Sequence, residues 1–126
     1  MTVIFIDDDP DDLDLFLEAV RIVDPRHACY RATSGKEGIK LLETLKPDVI
    51  FLDINMPGLA GWDLVKLIRS KSGFDDVPVY MLSTSGNASE REMFLRMGAS
   101  NCLVKPSSFH ELCEIFRNVI TEKKKP

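Results

Sequence analysis

The chain has 126 residues, a length that suits one domain with a substantial buried core. Its hydrophobic content of 44% and charged content of 29% are ordinary for a globular protein and exclude a fully disordered one. The net charge of −4 argues against a sequence-independent surface for binding nucleic acid. The short basic run from Lys123 to Lys125 is therefore interpreted as a helix end, where cations suit the helix dipole.

The first part of the chain predicts two strand–helix units. An apolar run predicts a strand over 2–6, followed by Asp9 as a candidate N-cap and Pro10 as a first helical residue. Apolar residues then recur at helical spacing. A second strand is predicted over 28–32, and Ser34 is the predicted cap of a second helix that ends before a proline.

The remainder of the chain predicts three more units. A continuously apolar run predicts a strand over 49–52 that is covered on both faces, and further strands are predicted over 77–82 and 102–105. A turn-rich loop separates the third strand from a short helix over 62–70, and its turn residues are Pro57, Gly58 and Gly61. The last two helices each begin with a predicted capping box, formed by Ser89 with Glu92 and by Ser108 with Glu111.

The alternation of strands and helices has a direct consequence for the fold and for the site. It implies an α/β protein with a parallel sheet and helices on both faces. In such open sheets, ligands bind outside the carboxyl ends of the strands. Polar residues that terminate strands are therefore the first candidates for a functional site.

The number of cysteines and the hydropathy argue against disulfide-linked, zinc-binding, membrane-spanning and secreted proteins. Cys29, Cys102 and Cys113 are odd in number and form no CxxC pair, so we expect neither a disulfide framework nor a zinc site. We interpret them as small buried residues in a reducing compartment. No apolar run is long enough to span a bilayer and the N-terminus lacks the pattern of a secretory signal. We therefore expect a cytoplasmic protein with no membrane partner.

Polar side chains stand where four of the predicted strands end. They are Asp7, Asp8, Asp53, Ser83, Thr84 and Lys105. Each has a structural explanation, since acids favour helix N-termini, Ser83 can cap a helix and Lys105 can be a solvated cation. Carboxylates also hold hard divalent cations. Because these strand ends meet at one rim, we favour one chemical site over several separate explanations.

This ordered set of residues resembles a response-regulator receiver domain over essentially the whole chain. The motif residues are Asp7-Asp8, Asp53-Ile54-Asn55-Met56-Pro57 with Gly61, Ser83, and Lys105-Pro106. The resemblance implies a flavodoxin-like (βα)5 fold, a doubly wound five-stranded parallel sheet with strand order 2-1-3-4-5. It also implies a single receiver domain over residues 1–126, with no effector domain visible after Ile120.

The resemblance further implies phosphoryl transfer onto Asp53. This carboxylate would be the nucleophile that takes a phosphoryl group from the phosphohistidine of a histidine kinase or a histidine phosphotransfer protein. Mg²⁺ would be held by Asp8, Asp53 and the backbone carbonyl of Asn55. Asp7 would reach the metal through water, because Mg²⁺ keeps part of its hydration shell.

The same resemblance gives roles to the later strand ends. Lys105 would neutralise phosphoryl oxygens, and the Ser83 hydroxyl and the Thr84 backbone N–H would donate to another oxygen. The Lys105–Pro106 bond is expected to be cis, which would aim the lysine inward. The protein would not be an enzyme acting on other molecules. It would signal through a downstream protein bound to the face of the fourth helix, fifth strand and fifth helix, without contacting nucleic acid directly.

Two departures from the family pattern alter the expected behaviour. Cys102 stands where receivers usually carry Tyr or Phe, which leaves the usual aromatic switch without its ring, and we favour a small buried residue over a redox thiol. Thr84 stands where a small residue is usual, and neither Asn55 nor Ser85 is a strong general base. Slow self-dephosphorylation is therefore expected.

Two other functions are compatible with the same residues. An Asp-nucleophile phosphatase also uses magnesium and a lysine, but that class usually carries DxD, whereas Asp53 is followed by Ile54 and Asn55. A pseudo-receiver would bind partners without phosphorylation, and the complete set of acceptor, acidic pair, hydroxyl and lysine argues against it. In the absence of metal, the clustered carboxylates should repel one another and so raise the pKa of at least one of them.

Overall fold

The computed structural model describes residues 1–56 and 61–124, with the side chains of residues 123 and 124 excepted. Over these residues, five β-strands alternate with five α-helices. The strands are β1 (Thr2–Ile6), β2 (Ala28–Ala32), β3 (Val49–Asp53), β4 (Val79–Ser83) and β5 (Asn101–Val104). The helices are α1 (Pro10–Val23), α2 (Gly35–Thr44), α3 (Gly61–Ser70), α4 (Ala88–Arg96) and α5 (Phe109–Lys124). The predicted turn at Pro57 and Gly58 and the side chains of the basic run lie outside the described residues.

The five strands form one parallel sheet in the order β2-β1-β3-β4-β5, as predicted. The register pairs Ile6 with Leu52 and Asp53 with Leu82. Ser83 is paired with Val104 at the other side of β4. All strands therefore run in one direction, and their carboxyl ends form a single rim. Within the described residues, no helix is both long enough and apolar enough to cross a bilayer.

Each face of the sheet carries its own hydrophobic core, because successive side chains of a strand point to opposite faces. One core lies between the sheet and helices α2, α3 and α4 and contains Ile4, Ile50 and Met81. The other lies under α1 and α5. Its centre is the ring of Phe5, which packs at 5.1 to 5.3 Å, centroid to centroid, from the rings of Phe16, Phe51 and Phe116.

The helix starts confirm three predicted caps and correct a fourth. Asp9 and Ser34 accept hydrogen bonds from the first turns of α1 and α2, and the Ser108 hydroxyl accepts from the Glu111 N–H at 3.1 Å. The predicted Ser89 capping box is wrong. Helix α4 begins at Ala88, two residues earlier than a cap at Ser89 would place it, because the Asn87 side chain accepts hydrogen bonds from the N–H groups of residues 89 and 90.

The predicted start of the fourth strand is also corrected. The N–H of Val77 donates to the carbonyl of Phe74 in a turn, and Pro78 has no N–H to give to a ladder. Strand β4 therefore begins at Val79 rather than at residue 77. Strand β5 lies one residue earlier than predicted and ends at Val104, so that Lys105 projects from the loop just beyond it.

Candidate functional site

Three acids converge at the rim of the sheet because β1 and β3 are neighbours. Asp7 follows β1 directly and Asp53 is the last residue of β3. Oxygens of Asp7, Asp8 and Asp53 all lie within 4.8 Å of one another. Asp7 and Asp53 are only 1% and 4% exposed, whereas Asp8 is open to solvent. The predicted acidic cluster is therefore assembled in space.

Local backbone contacts fix one oxygen of each buried acid. The N–H of Asp9 donates to Asp7 Oδ1 at 3.0 Å, and the N–H of Asn55 donates to Asp53 Oδ1 at 3.2 Å. The second oxygen of each carboxylate faces Lys105. The Nζ of that lysine lies 3.1 Å from Asp7 Oδ2 and 3.6 Å from Asp53 Oδ2. The two acids are thus presented in matching orientations toward one cation.

Lys105 has a further partner that the sequence reading missed. Its Nζ donates to Asp12 Oδ2 at 2.9 Å, while its backbone N–H donates to the carbonyl of Ser83 and extends the β4–β5 ladder. Burial opposes the charged form of Lys105, but the carboxylates of Asp12, Asp7 and Asp53 outweigh it and raise the pKa of the lysine. Lys105 therefore carries a full positive charge at neutral pH.

The bond between Lys105 and Pro106 corrects another expectation. It is trans, as are the other peptide bonds of the described residues, so the predicted cis bond is wrong. The trans form is the lower-energy isomer of an X–Pro bond, and here it already lets Nζ reach the acids. Pro106 does not open the last helix either, since α5 begins at Phe109.

Asp7 has the most perturbed environment in the cluster. Burial raises its pKa to about 6, opposed by the Asp9 N–H and by Lys105 and reinforced by the negative charge of Asp53. Its Oδ2 is buried and lacks an aligned hydrogen bond, although the charge of Lys105 is close by. The cluster thus holds more negative charge than its one lysine offsets. An oxygen donor set of this kind fits a hard divalent cation such as Mg²⁺.

An open cleft of about 470 Å³ lies over these groups. Its walls comprise Asp7, Asp8, Asp9, Pro10, Asp12, Asp53, Asn55, Thr84 and Lys105. Within this wall, Asn55 Nδ2 donates to Thr84 Oγ1 at 3.2 Å. Six of the seven residues predicted for the site therefore border one space: Asp7, Asp8, Asp53, Asn55, Thr84 and Lys105.

Ser83, the seventh predicted residue, is close in the chain but turned elsewhere. It is 2% exposed, and its Oγ donates to Glu90 Oε1 at 2.7 Å instead of bordering the cleft. Glu90 was not anticipated, and neither was Asp12. Their positions were a usable signal, because each acid lies in the first turn of a helix that begins at the rim. Cys102 is half-buried, and burial together with the charge of Glu90 raises its thiol pKa, as befits a packing residue.

The fold and the site together define a flavodoxin-like α/β protein with an acid–lysine cluster at the carboxyl edge of its sheet. The chain belongs to the response regulator receiver domain family, whose model matches residues 3–117. Phosphorylation on aspartate and binding of Mg²⁺ are characteristic of that family, which serves two-component signalling and pairs with histidine kinases or phosphotransfer proteins.

Individual relatives agree with this assignment. The chain is 30% identical over 122 residues to "Hybrid signal transduction histidine kinase D" of Dictyostelium discoideum, and the match covers 97% of the chain and 8% of that protein. It is 36% identical over 89 residues to "Transcriptional regulatory protein CusR" of Escherichia coli, with 71% of the chain and 38% of the relative covered. The chain thus spans well under half the length of these relatives.

A solved structure shows the same architecture. The chemotaxis response regulator CheY4 of Vibrio cholerae superposes with a TM-score of 0.84 at 26% identity, covering 94% of this chain and 97% of that one. The strand order and the five flanking helices observed here match that receiver fold.

The raised pKa of Asp7 predicts a pH dependence of stability in the metal-free protein. The folded state binds the Asp7 proton more tightly than the unfolded state, so the contribution of this group to stability is fully present below pH 3.8 and is lost as the pH rises to about 6. The loss attributable to this group is about 3 kcal/mol. Urea denaturation in EDTA should show that Asp7→Asn removes this decline and is more stable than wild type at pH 7.

The matched control is Asp63→Asn, which neutralises an exposed acid on α3 and should leave the pH profile unchanged. Parallel profiles for wild type and Asp7→Asn between pH 4 and 6.5 would contradict the burial-driven shift.

Proposed function

We propose that Asp53 accepts a phosphoryl group from the phosphohistidine of a histidine kinase or phosphotransfer protein. The observation that carries this proposal is the environment of its carboxylate. Asp53 is 4% exposed at the floor of an open cleft, with Oδ1 held by the Asn55 N–H and Oδ2 directed toward Lys105 at 3.6 Å. A carboxylate oriented in this way is ready to attack a phosphorus atom that enters the cleft.

The position of Asp53 distinguishes it from the neighbouring acids. It ends the central strand of the sheet, between β1 and β4, whereas Asp8 projects into solvent. In the proposed step, a carboxylate oxygen of Asp53 forms the new bond to phosphorus while the bond between phosphorus and the donor imidazole nitrogen breaks. The electron pair of that bond stays on the imidazole nitrogen, which takes up one proton from solvent so that the ring leaves as neutral imidazole.

The acidic cluster would hold Mg²⁺ through Asp8, Asp53 and the backbone carbonyl of Asn55, with Asp7 acting through water. The cation would supply positive charge against the repulsion between the carboxylate and the incoming phosphoryl group. The support comes from the mutual distances of the three carboxylates and from the buried, poorly solvated Oδ2 of Asp7.

Lys105 and the end of β4 supply the remaining contacts. Nζ of Lys105 already faces Asp53 and would exchange its hydrogen bond to Asp12 for one to a phosphoryl oxygen. The backbone N–H of Thr84 and the hydroxyl of Ser83 would donate to another oxygen. For this role the Ser83 hydroxyl has to turn away from Glu90.

The output proposed for this domain, residues 1–126, is a changed protein–protein contact. The face formed by α4, β5 and α5 exposes apolar side chains, with Met93 36% and Val104 56% accessible. Arg91 Nη2 donates to Asn101 Oδ1 at 3.0 Å and ties α4 to β5 across this face. A rearrangement at Ser83, which ends the neighbouring strand, would thus reach the surface offered to a downstream protein.

Phosphorylation is tested with acetyl phosphate and Mg²⁺ followed by intact mass measurement. Wild type should gain the mass of one phosphoryl group, and Asp53→Asn should gain none because the attacking carboxylate is replaced by an amide. Asp63→Asn, which removes an equally charged but remote side chain, should behave as wild type. Unmodified wild type, or modification of Asp53→Asn to the same extent, would refute the assignment.

Binding of Mg²⁺ is tested by thermal melting at pH 7. A cation that binds the folded state only, at ten times its Kd, adds about 1.4 kcal/mol, or roughly 5 °C for a domain of this size. We expect that shift for wild type and for Asp11→Asn, an exposed acid of α1 outside the cluster, and a much smaller one for Asp8→Asn. Melting curves of wild type that coincide with and without Mg²⁺ would rule out the site.

The hydrogen bond between Asn55 and Thr84 predicts slow loss of the phosphoryl group. It joins two residues of the cleft wall that Asp53 also lines and would narrow the approach of water, and neither side chain is a strong base. The aspartyl phosphate of Thr84→Ala should hydrolyse about twofold to tenfold faster than that of wild type, which corresponds to the loss of one neutral hydrogen bond. The measurement is the decay of phosphorylated protein after removal of acetyl phosphate, and a slower decay in Thr84→Ala would contradict the argument.

A further inference from the structure

The hydroxyl of Ser83 is committed to a partner outside the cleft. Its Oγ accepts from the Ser85 N–H at 3.2 Å and donates to Glu90 Oε1 at 2.7 Å. The Ser85 hydroxyl also lies 3.4 Å from the same Glu90 oxygen. Ser83 at the end of β4 and Ser85 just beyond it thus point toward the first turn of α4.

A hydroxyl group has one proton to donate. While that proton is given to Glu90, it is unavailable to an oxygen in the cleft over Asp53. The bond is short and its acceptor is a carboxylate, so it belongs to the stronger, charge-assisted class of hydrogen bonds. Its partner atoms are also shielded, since Ser83 is 2% exposed and Glu90 is half-buried.

Glu90 is itself held in place by the start of its helix. Its backbone N–H donates to Oδ1 of Asn87, the N-cap of α4, at 3.2 Å. The charge of its carboxylate also reaches Cys102 on β5, where it adds to the effect of burial on the thiol. Glu90 therefore connects the end of β4 with the first turn of α4 and faces β5.

We propose that Glu90 is a positioning residue that keeps the Ser83 hydroxyl bound to helix α4 until Asp53 is phosphorylated. This inference rests on the proposed function of Asp53. On phosphorylation, the hydrogen bond from Ser83 to Glu90 breaks and one from Ser83 to a phosphoryl oxygen forms, with no proton transferred. Filling the cleft thus exchanges the hydrogen bond from Ser83 to Glu90 for one to the phosphoryl group and removes this link between β4 and the first turn of α4.

The test is a titration with beryllofluoride, a phosphoryl mimic, in the presence of Mg²⁺, followed by isothermal calorimetry. Glu90→Ala should bind it about threefold to tenfold more tightly than wild type, because the competing acceptor is gone. Glu90→Gln keeps a carbonyl acceptor without the charge and should lie between the two. Glu92→Ala removes an exposed acid of the same helix and should leave the affinity unchanged.

A second set of variants separates this role from simple charge removal, since any lost acid near the cleft could favour an anion. In a Ser83→Ala background there is no hydroxyl to hold, so Glu90→Ala should then change the affinity by less than about twofold. An effect of the same size in both backgrounds would overturn the proposal. An unchanged affinity of Glu90→Ala or Glu90→Gln in the Ser83 background would overturn it as well.

Two controls distinguish a failure of the proposed role of Glu90 from a failure of the proposed function of Asp53. Wild type has to bind beryllofluoride and Asp53→Asn has to fail. If wild type does not bind, or Asp53→Asn binds equally well, the proposed function is wrong and the role of Glu90 falls with it. If Glu90→Ala does not fold, Glu90→Gln carries the comparison, and ¹H–¹⁵N spectra of the Ser85 and Asn87 amides report whether the β4–α4 hydrogen bonds have loosened without ligand.

Discussion

One ammonium group stands against several carboxylates at the carboxyl edge of this sheet, and that imbalance governs the site. The Nζ of Lys105 lies within 3.6 Å of oxygens of Asp7, Asp12 and Asp53, and Asp8 adds a further negative charge. Water would ordinarily screen such a cluster, but Asp7 and Asp53 are almost entirely buried. Burial, reinforced by the charge of Asp53, raises the pKa of Asp7. The excess of negative charge suits a divalent cation, which would in turn offset the charge of an incoming phosphoryl group.

The apolar core holds the excess negative charge in place at the rim. Strands β1 and β3 are enclosed on both faces, and the stacked rings of Phe5 and Phe51 lie in the strands that deliver Asp7 and Asp53. A close-packed core of this kind resists the small shifts by which repelling side chains would otherwise separate. Two side chains at this rim have more than one polar partner: Lys105 contacts three carboxylates, and the Ser83 hydroxyl contacts both Ser85 and Glu90.

The sequence was sufficient for the strands, their parallel direction and the convergence of the acids on Lys105, because these follow from periodicity and from strand ends sharing a rim. The strand order came from the family resemblance. Side-chain choice among neighbouring partners was not predictable. Asn87 rather than Ser89 caps α4 because both are good caps two residues apart. Similarly, Lys105 donates to Asp12 and Ser83 donates to Glu90, and these choices depend on distances in the folded protein that residue type and spacing do not give.

The pairing of Lys105 with Asp12 joins residues 93 positions apart in the chain. The acids all belong to the first three strands or the start of α1, whereas their counter-ion arrives with the last strand. During synthesis or refolding, an incomplete sheet would therefore carry mutually repelling carboxylates with no lysine among them. Adding β5 beside β4 completes the sheet and brings in the lysine that neutralises part of that charge. The acids, which are synthesised first, thus depend for part of their stability on Lys105, which is synthesised near the end of the chain.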